Sequence, residues 1–158
     1  MRKTKKYEFA RFSPEVLQEA AQTLWPAKVA RRRWFMPASD PDPPFTGTLM
    51  VESDGVRWEY EDEKEFFDGY RGSSGEAYYW RRSSKSSLDV SVSSYFTQIE
   101  ISAPDRATIE SVFSVFETKL GESLVPSPPA PKPSVFIGHG QAPDWRDLKD
   151  HLHDQHES

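Results

Sequence analysis

Two glycines flanking a histidine, Gly138-His139-Gly140, stand directly behind the short apolar run Val135-Phe136-Ile137. A turn without side chains lets a phosphate reach the free N–H groups at the start of a following helix, where the helix dipole also favours an anion. Gln141-Ala142-Pro143-Asp144 supplies such a start, and Trp145, Leu148 and Leu152 share one face beyond it. The spacing alone is a weak signature. A dinucleotide-binding fingerprint wants a third glycine where Pro143 stands, and an acidic residue about 20 positions further on. Read from spacing only, these glycines permit a tight strand-to-helix turn.

Two further clusters set cations beside aromatic rings. Tyr78-Tyr79-Trp80-Arg81-Arg82 with Lys85 is one, and Arg31-Arg32-Arg33-Trp34 with Lys28 is the other. Tyr79, Arg81, Arg82, Lys85, Arg31, Arg32 and Arg33 are therefore the candidate ligand surface. Both clusters also suit strands that pack aromatics inward and cover their edges with arginine stems, and the acidic total favours that reading. The formal net charge of −5 offers no general attraction to nucleic acid or an anionic membrane. The expected partners are a nucleotide or a protein signal, with self-association as a further option and nucleic acid disfavoured.

Other chemistry finds little support. There is no cysteine, which excludes disulfides, thiolate zinc sites and thiol nucleophiles. Of the four histidines, His139, His151, His153 and His156, only the last two have helical chelating spacing, and a solvated tail is the simpler reading. No metal is assigned. The acidic run from Glu59 to Glu65 fits a solvated helix start better than paired acid–base carboxylates. No serine lies in a Gly-x-Ser-x-Gly turn, so no catalytic residue is assigned.

The elements that must position these residues can be read from periodicity. Ser13-Pro14 marks a helix start, with Val16, Leu17, Ala20, Ala21 and Leu24 as its apolar stripe and Trp25-Pro26 as its end. Strands are expected at 48–51 and 56–60 around the turn Asp54-Gly55. In the second, Val56, Trp58 and Tyr60 alternate with Arg57 and Glu59, which predicts one wet face and one buried. A short helix fits 61–70, a hairpin fits 77–82 with 88–94, and a strand fits 96–101. Pro104-Asp105 then opens a helix with Ile109, Val112, Phe113, Phe116 and Leu120 on one side, closed by Gly121. The sum is an α+β domain: helix, antiparallel meander of about five strands, helix.

Five prolines between Leu124 and Pro133 favour an extended spacer. The expected organisation is an accessory or sensor domain over 1–122, a Pro-rich linker over 123–133, and a strand–helix piece over 134–158. No apolar run follows the basic start Met-Arg-Lys-Thr-Lys-Lys, and no stretch reaches membrane-span length, so a cytoplasmic protein is expected.

The segment Val135-Phe136-Ile137-Gly138-His139-Gly140, with Trp145-Arg146-Asp147-Leu148-Lys149-Asp150 after it, resembles the opening of the TIR-like nucleotide-binding domain of prokaryotic anti-phage effectors. The resemblance covers residues 133 to 152. It implies a flavodoxin-like sheet, NAD as substrate, NAD nucleosidase activity in a complete domain, and nucleotide contact at Gly138, His139 and Gly140. The family's catalytic glutamate lies well downstream of this loop, and no residue here matches it. The expectation is therefore a non-catalytic sensor or interaction domain attached to an incomplete effector, with no cofactor in this chain. The alternatives are part of a complete NAD hydrolase, or a stand-alone nucleotide- or nucleic-acid-binding module.

Overall fold

The computed structural model describes residues 1–26 and 45–127. Arg31, Arg32, Arg33, Gly138, His139, Gly140 and the whole strand–helix piece lie outside the described residues. Within them the fold is α+β. Six strands form one sheet with every neighbouring pair antiparallel: β1 (Arg2–Glu8), β2 (Phe45–Ser53), β3 (Val56–Tyr60), β4 (Ala77–Arg82), β5 (Ser87–Val92) and β6 (Phe96–Ser102). Their order across the sheet is β1-β6-β5-β4-β2-β3. The helices are α1 (Pro14–Leu24), α2 (Glu63–Gly72) and α3 (Arg106–Lys119).

One row of alternating strand residues carries the core. Leu49, Val51, Tyr79, Leu88, Val90, Ile99 and Ile101 are all buried, and the helices cover them with Val16, Leu17, Phe66, Phe67, Val112, Phe113 and Phe116. Phe12 meets Tyr7 and Phe116 edge-on, with ring centroids 5.3 and 5.0 Å apart. Under α2, Phe66 packs against Tyr70 and Tyr79 at 5.8 and 5.5 Å. Burying side chains of this size, at roughly 1.5–3 kcal/mol each, holds the helix layer on the sheet.

The helix ends follow their capping chemistry. Asp105 accepts from the Thr108 N–H at 2.8 Å and Asp62 from the Lys64 N–H at 3.0 Å, each satisfying a donor left open at a first turn. Ser13 occupies the cap position of α1 with Pro14 inside it, but its hydroxyl makes no capping bond. The start of α1 therefore relies on the fixed φ of proline.

Three features differ from the expectation. A sixth strand, β1, pairs with β6 in an unbroken register from Arg2↔Ser102 to Glu8↔Phe96. Its inward side carries lysines: Lys3 reaches Glu110 at 2.7 Å, Lys5 reaches Glu117, and both ammonium groups lie 5.2–5.3 Å from the Phe113 ring centre. The stems cover the core while the charges escape to the helix surface. Next, the strands are not a plain meander. Helix α2 carries the chain from the edge strand β3 back over the sheet, so β4 pairs with β2. Finally, β3 has no buried face: Val56 and Trp58 are 52% and 57% exposed. The helix layer reaches only Tyr60, which packs on Phe66 at 6.2 Å.

Residues 123–125, at the head of the expected linker, run beside the chain's start. Ala10 bridges Leu124, the Val125 N–H donates to Phe9 at 2.8 Å, and the Arg11 N–H donates to Ser123 at 2.8 Å.

Candidate functional site

Strand β4 separates the predicted cluster by parity. Successive strand side chains point to opposite faces, so Ala77, Tyr79 and Arg81 share one side while Tyr78, Trp80 and Arg82 share the other. Tyr79 is buried on the helix side, where its hydroxyl donates to Glu63 at 2.5 Å. Arg81 pairs with the same carboxylate at 3.2 Å, and its guanidinium lies 5.5 Å from the Trp25 ring. Burial and the Glu63 bond both push the Tyr79 phenol far up, so it stays neutral. Glu63, read from sequence as part of a solvated helix start, is the acceptor at the centre of this knot. Tyr79 and Arg81 therefore pin α2 to the sheet, on the face opposite Trp80 and Arg82.

Arg82 and Lys85 lie elsewhere. They stand at the end of a groove of about 320 Å³ on the sheet's other face, with Trp80, Asp89, Glu100 and Arg2. None of the described strand residues on that face is buried. The register explains the assembly: Arg82↔Ser87↔Ser102↔Arg2 form one row, and Trp80↔Asp89↔Glu100↔Thr4 the next. The β4–β5 turn, Ser83 to Ser86, rises as one wall. Its geometry is set by Ser83, whose N–H donates to the Ser86 carbonyl at 2.8 Å while its hydroxyl accepts from the Ser86 N–H at 3.1 Å and from the Trp25 indole at 3.2 Å. That leaves Ser84 and Lys85 exposed at the tip.

The tryptophan is held by an absence. A Cβ at Gly47 would stand 2.3 Å from the Trp80 ring and 2.7 Å from its carbonyl oxygen, so only glycine lets the indole lie across β2. The result is a half-buried aromatic surface at the groove's edge.

Charge in the groove is divided. Glu100 is held by Arg2 at 3.2 Å and by the Thr4 hydroxyl at 3.2 Å. Asp89 accepts from the Tyr78 hydroxyl at 2.8 Å. Asp89 and Glu100 face each other across the β5–β6 ladder. Partial burial, with a smaller push from Glu100, raises the Asp89 carboxyl above the usual range against the opposing pull of the Tyr78 bond. Burial and the two carboxylates push Tyr78 up to about 12. Arg82 and Lys85 make no ion pair with any described residue. The groove thus offers two uncommitted cations and several hydroxyls at one end, an indole beside them, and two carboxylates deeper in.

Tyr78 and Trp80 belong to the aromatic–cation cluster read from the sequence, whereas Asp89, Glu100 and Arg2 were not among the sequence candidates. Period-two alternation within β4 was enough to separate Trp80 and Arg82 from Tyr79 and Arg81. Arg2, Asp89 and Glu100 carry no local signal, since only the sheet register brings them together. No group of three or more metal-ligating side chains occurs among the described residues, and no described helix is long and apolar enough to cross a membrane. Comparison of the chain with family models, curated proteins and solved structures finds no match in any of the three.

Proposed function

We propose that the described domain is a non-catalytic recognition module that takes a phosphate-bearing, ring-containing small molecule of the nucleotide class in the groove beside Trp80. The observation that carries the reading is the placement of Arg82 and Lys85, unpaired among the described residues, at the rim of a concave polar surface with an aromatic face next to them. Guanidinium and ammonium groups bind phosphate, the turn's serine hydroxyls supply further donors, and an indole stacks on a base whatever its identity. Asp89 and Glu100 in the same groove disfavour a long polyanion, as does the net charge of −5. A compact ligand with one charged end and a hydrogen-bonding ring fits both halves.

The wider role follows from the resemblance at 133–152: a sensor domain placed ahead of a TIR-like nucleotide-binding segment in an antiviral effector. In that arrangement the groove reads a signal, and NAD cleavage belongs to a completed TIR-like domain. Calorimetric titration of ADP and NAD into the 158-residue chain tests the binding. Saturable binding that quenches tryptophan fluorescence and weakens at least about tenfold in Arg82→Ala/Lys85→Ala is expected, with Tyr79→Phe unchanged. Binding of equal strength in the double variant would overturn the groove assignment. A parallel assay of nicotinamide release from NAD should show no turnover; turnover abolished by His139→Ala would overturn the non-catalytic reading.

A further inference from the structure

The two edges of the sheet are built differently. β1 closes one side with Arg2, Lys3, Lys5 and Lys6, the charged dressing that prevents edge-to-edge pairing. β3 closes the other side and displays Val56 and Trp58 at more than half exposure. Its sequence, Val56-Arg57-Trp58-Glu59-Tyr60, is self-complementary about the tryptophan. We propose that β3 pairs antiparallel with β3 of a second copy of this chain, around a two-fold axis through Trp58, joining two six-stranded sheets into one.

Backbone geometry allows this register. Asp54 and Gly55 have φ of 54° and 74°, the two positive values of a two-residue type I′ turn, so Ser53↔Val56 is the hydrogen-bonded closing pair. Hydrogen-bonded and non-bonded pairs then alternate, which makes Val51↔Trp58 and Leu49↔Tyr60 bonded. The N–H and C=O groups of Arg57 and Glu59 therefore point to the free edge. An axis through Trp58 sets Arg57 opposite Glu59 of the second copy, and these are the residues whose backbone groups must exchange bonds.

Side chains choose among the registers. With the axis at Trp58, two arginine–glutamate pairs form on one face. On the other, the two tryptophans meet at a non-bonded site, where Cα atoms approach to about 4.5 Å, and Val56 lies opposite Tyr60. Moving the axis to Arg57 sets arginine against arginine, and moving it to Glu59 sets glutamate against glutamate. A two-fold contact of this kind closes on itself, and among the described strands it leaves the lysine-dressed β1 edges outermost. A five-residue strand is short, so the dimer is expected to be weak and concentration-dependent.

Sedimentation velocity on the full chain over a wide concentration range reads the association directly. The wild-type chain should shift from monomer to dimer by mass action. Arg57→Glu and Glu59→Arg should each weaken self-association at least about tenfold, by converting both cross-strand pairs to like charges. An equimolar mixture of the two variants should dimerise again, because each supplies the charge the other lacks; mere destabilisation would not produce that rescue. Trp58→Ser should also dissociate the dimer with unchanged far-ultraviolet circular dichroism. A wild-type chain that stays monomeric throughout, a variant that self-associates like wild type, or a mixture that fails to pair would overturn the proposal.

Discussion

The indole of Trp80 occupies the space a side chain at position 47 would need. The atoms nearest a Cβ at position 47 are those of the Trp80 ring and the Trp80 carbonyl oxygen, so the clash cannot be relieved by a flexible chain end. Gly47→Ala should therefore push the ring off β2 or shift the strand, costing about 1–3 kcal/mol. The check is a lower denaturant midpoint with a red-shifted tryptophan emission, together with weaker nucleotide binding at the groove. At the same scale, the predicted ligand cluster shows what composition hides. Tyr79 and Arg82 are three positions apart in one strand, yet one is sealed beneath α2 and the other is open to solvent. Residue type marked both as binding chemistry. Orientation, which depends on strand parity, divided them.

Among the elements, β1 was illegible and the others were largely read. Val16-Leu17-Ala20-Ala21-Leu24 and Ile109-Val112-Phe113-Phe116 announce their helices because a buried stripe must recur at helical spacing. β1 has only Tyr7 as an apolar anchor, and its inward lysines look like solvent-facing charge until α3 is in place to receive them. The strand nevertheless covers the edge of β6 and packs Tyr7 on Phe12. Removing residues 1–8 should uncover that edge and the core beneath it. The expected result is loss of the cooperative thermal transition by circular dichroism, with aggregation at protein concentrations where the intact chain stays clear. The position of β3 was similarly hidden, since its alternation promised a buried face that the helix layer does not reach.

For the whole molecule, the buried tyrosines set an alkaline limit. Burial pushes Tyr7 and Tyr70 from an ordinary 10.0 up to about 12. The Tyr70 hydroxyl donates to the Phe12 carbonyl at 2.7 Å, while that of Tyr7 has no partner among the described residues. Each folded value lies above the unfolded one, so their contribution is complete below pH 10 and is lost as pH rises toward 12. Stability measured by denaturant titration should fall across that window. Tyr70→Phe, which removes one of the ionisations, should flatten the fall while lowering stability at neutral pH through the lost hydrogen bond. Carboxylates act at the other end: the Arg71 bond holds Glu15 down to about 2, and Asp105 and Glu110 are also depressed by their partners. Their small, exposed contributions hold at neutral pH and are lost as pH falls through those depressed values.

The α+β class, the three described helices, most strand positions and the turn at Asp54-Gly55 are legible from residue order, because each depends on local periodicity, capping or backbone sterics. It takes the assembled fold to show that β4 joins β2, that a lysine-rich segment is the sixth strand, and that Arg2, Trp80, Arg82 and Glu100 share a groove. Those outcomes depend on register between strands far apart in the chain and on where the helix layer stops. Such long-range pairings are selected by packing the whole core at once, and no window of neighbouring residues encodes them.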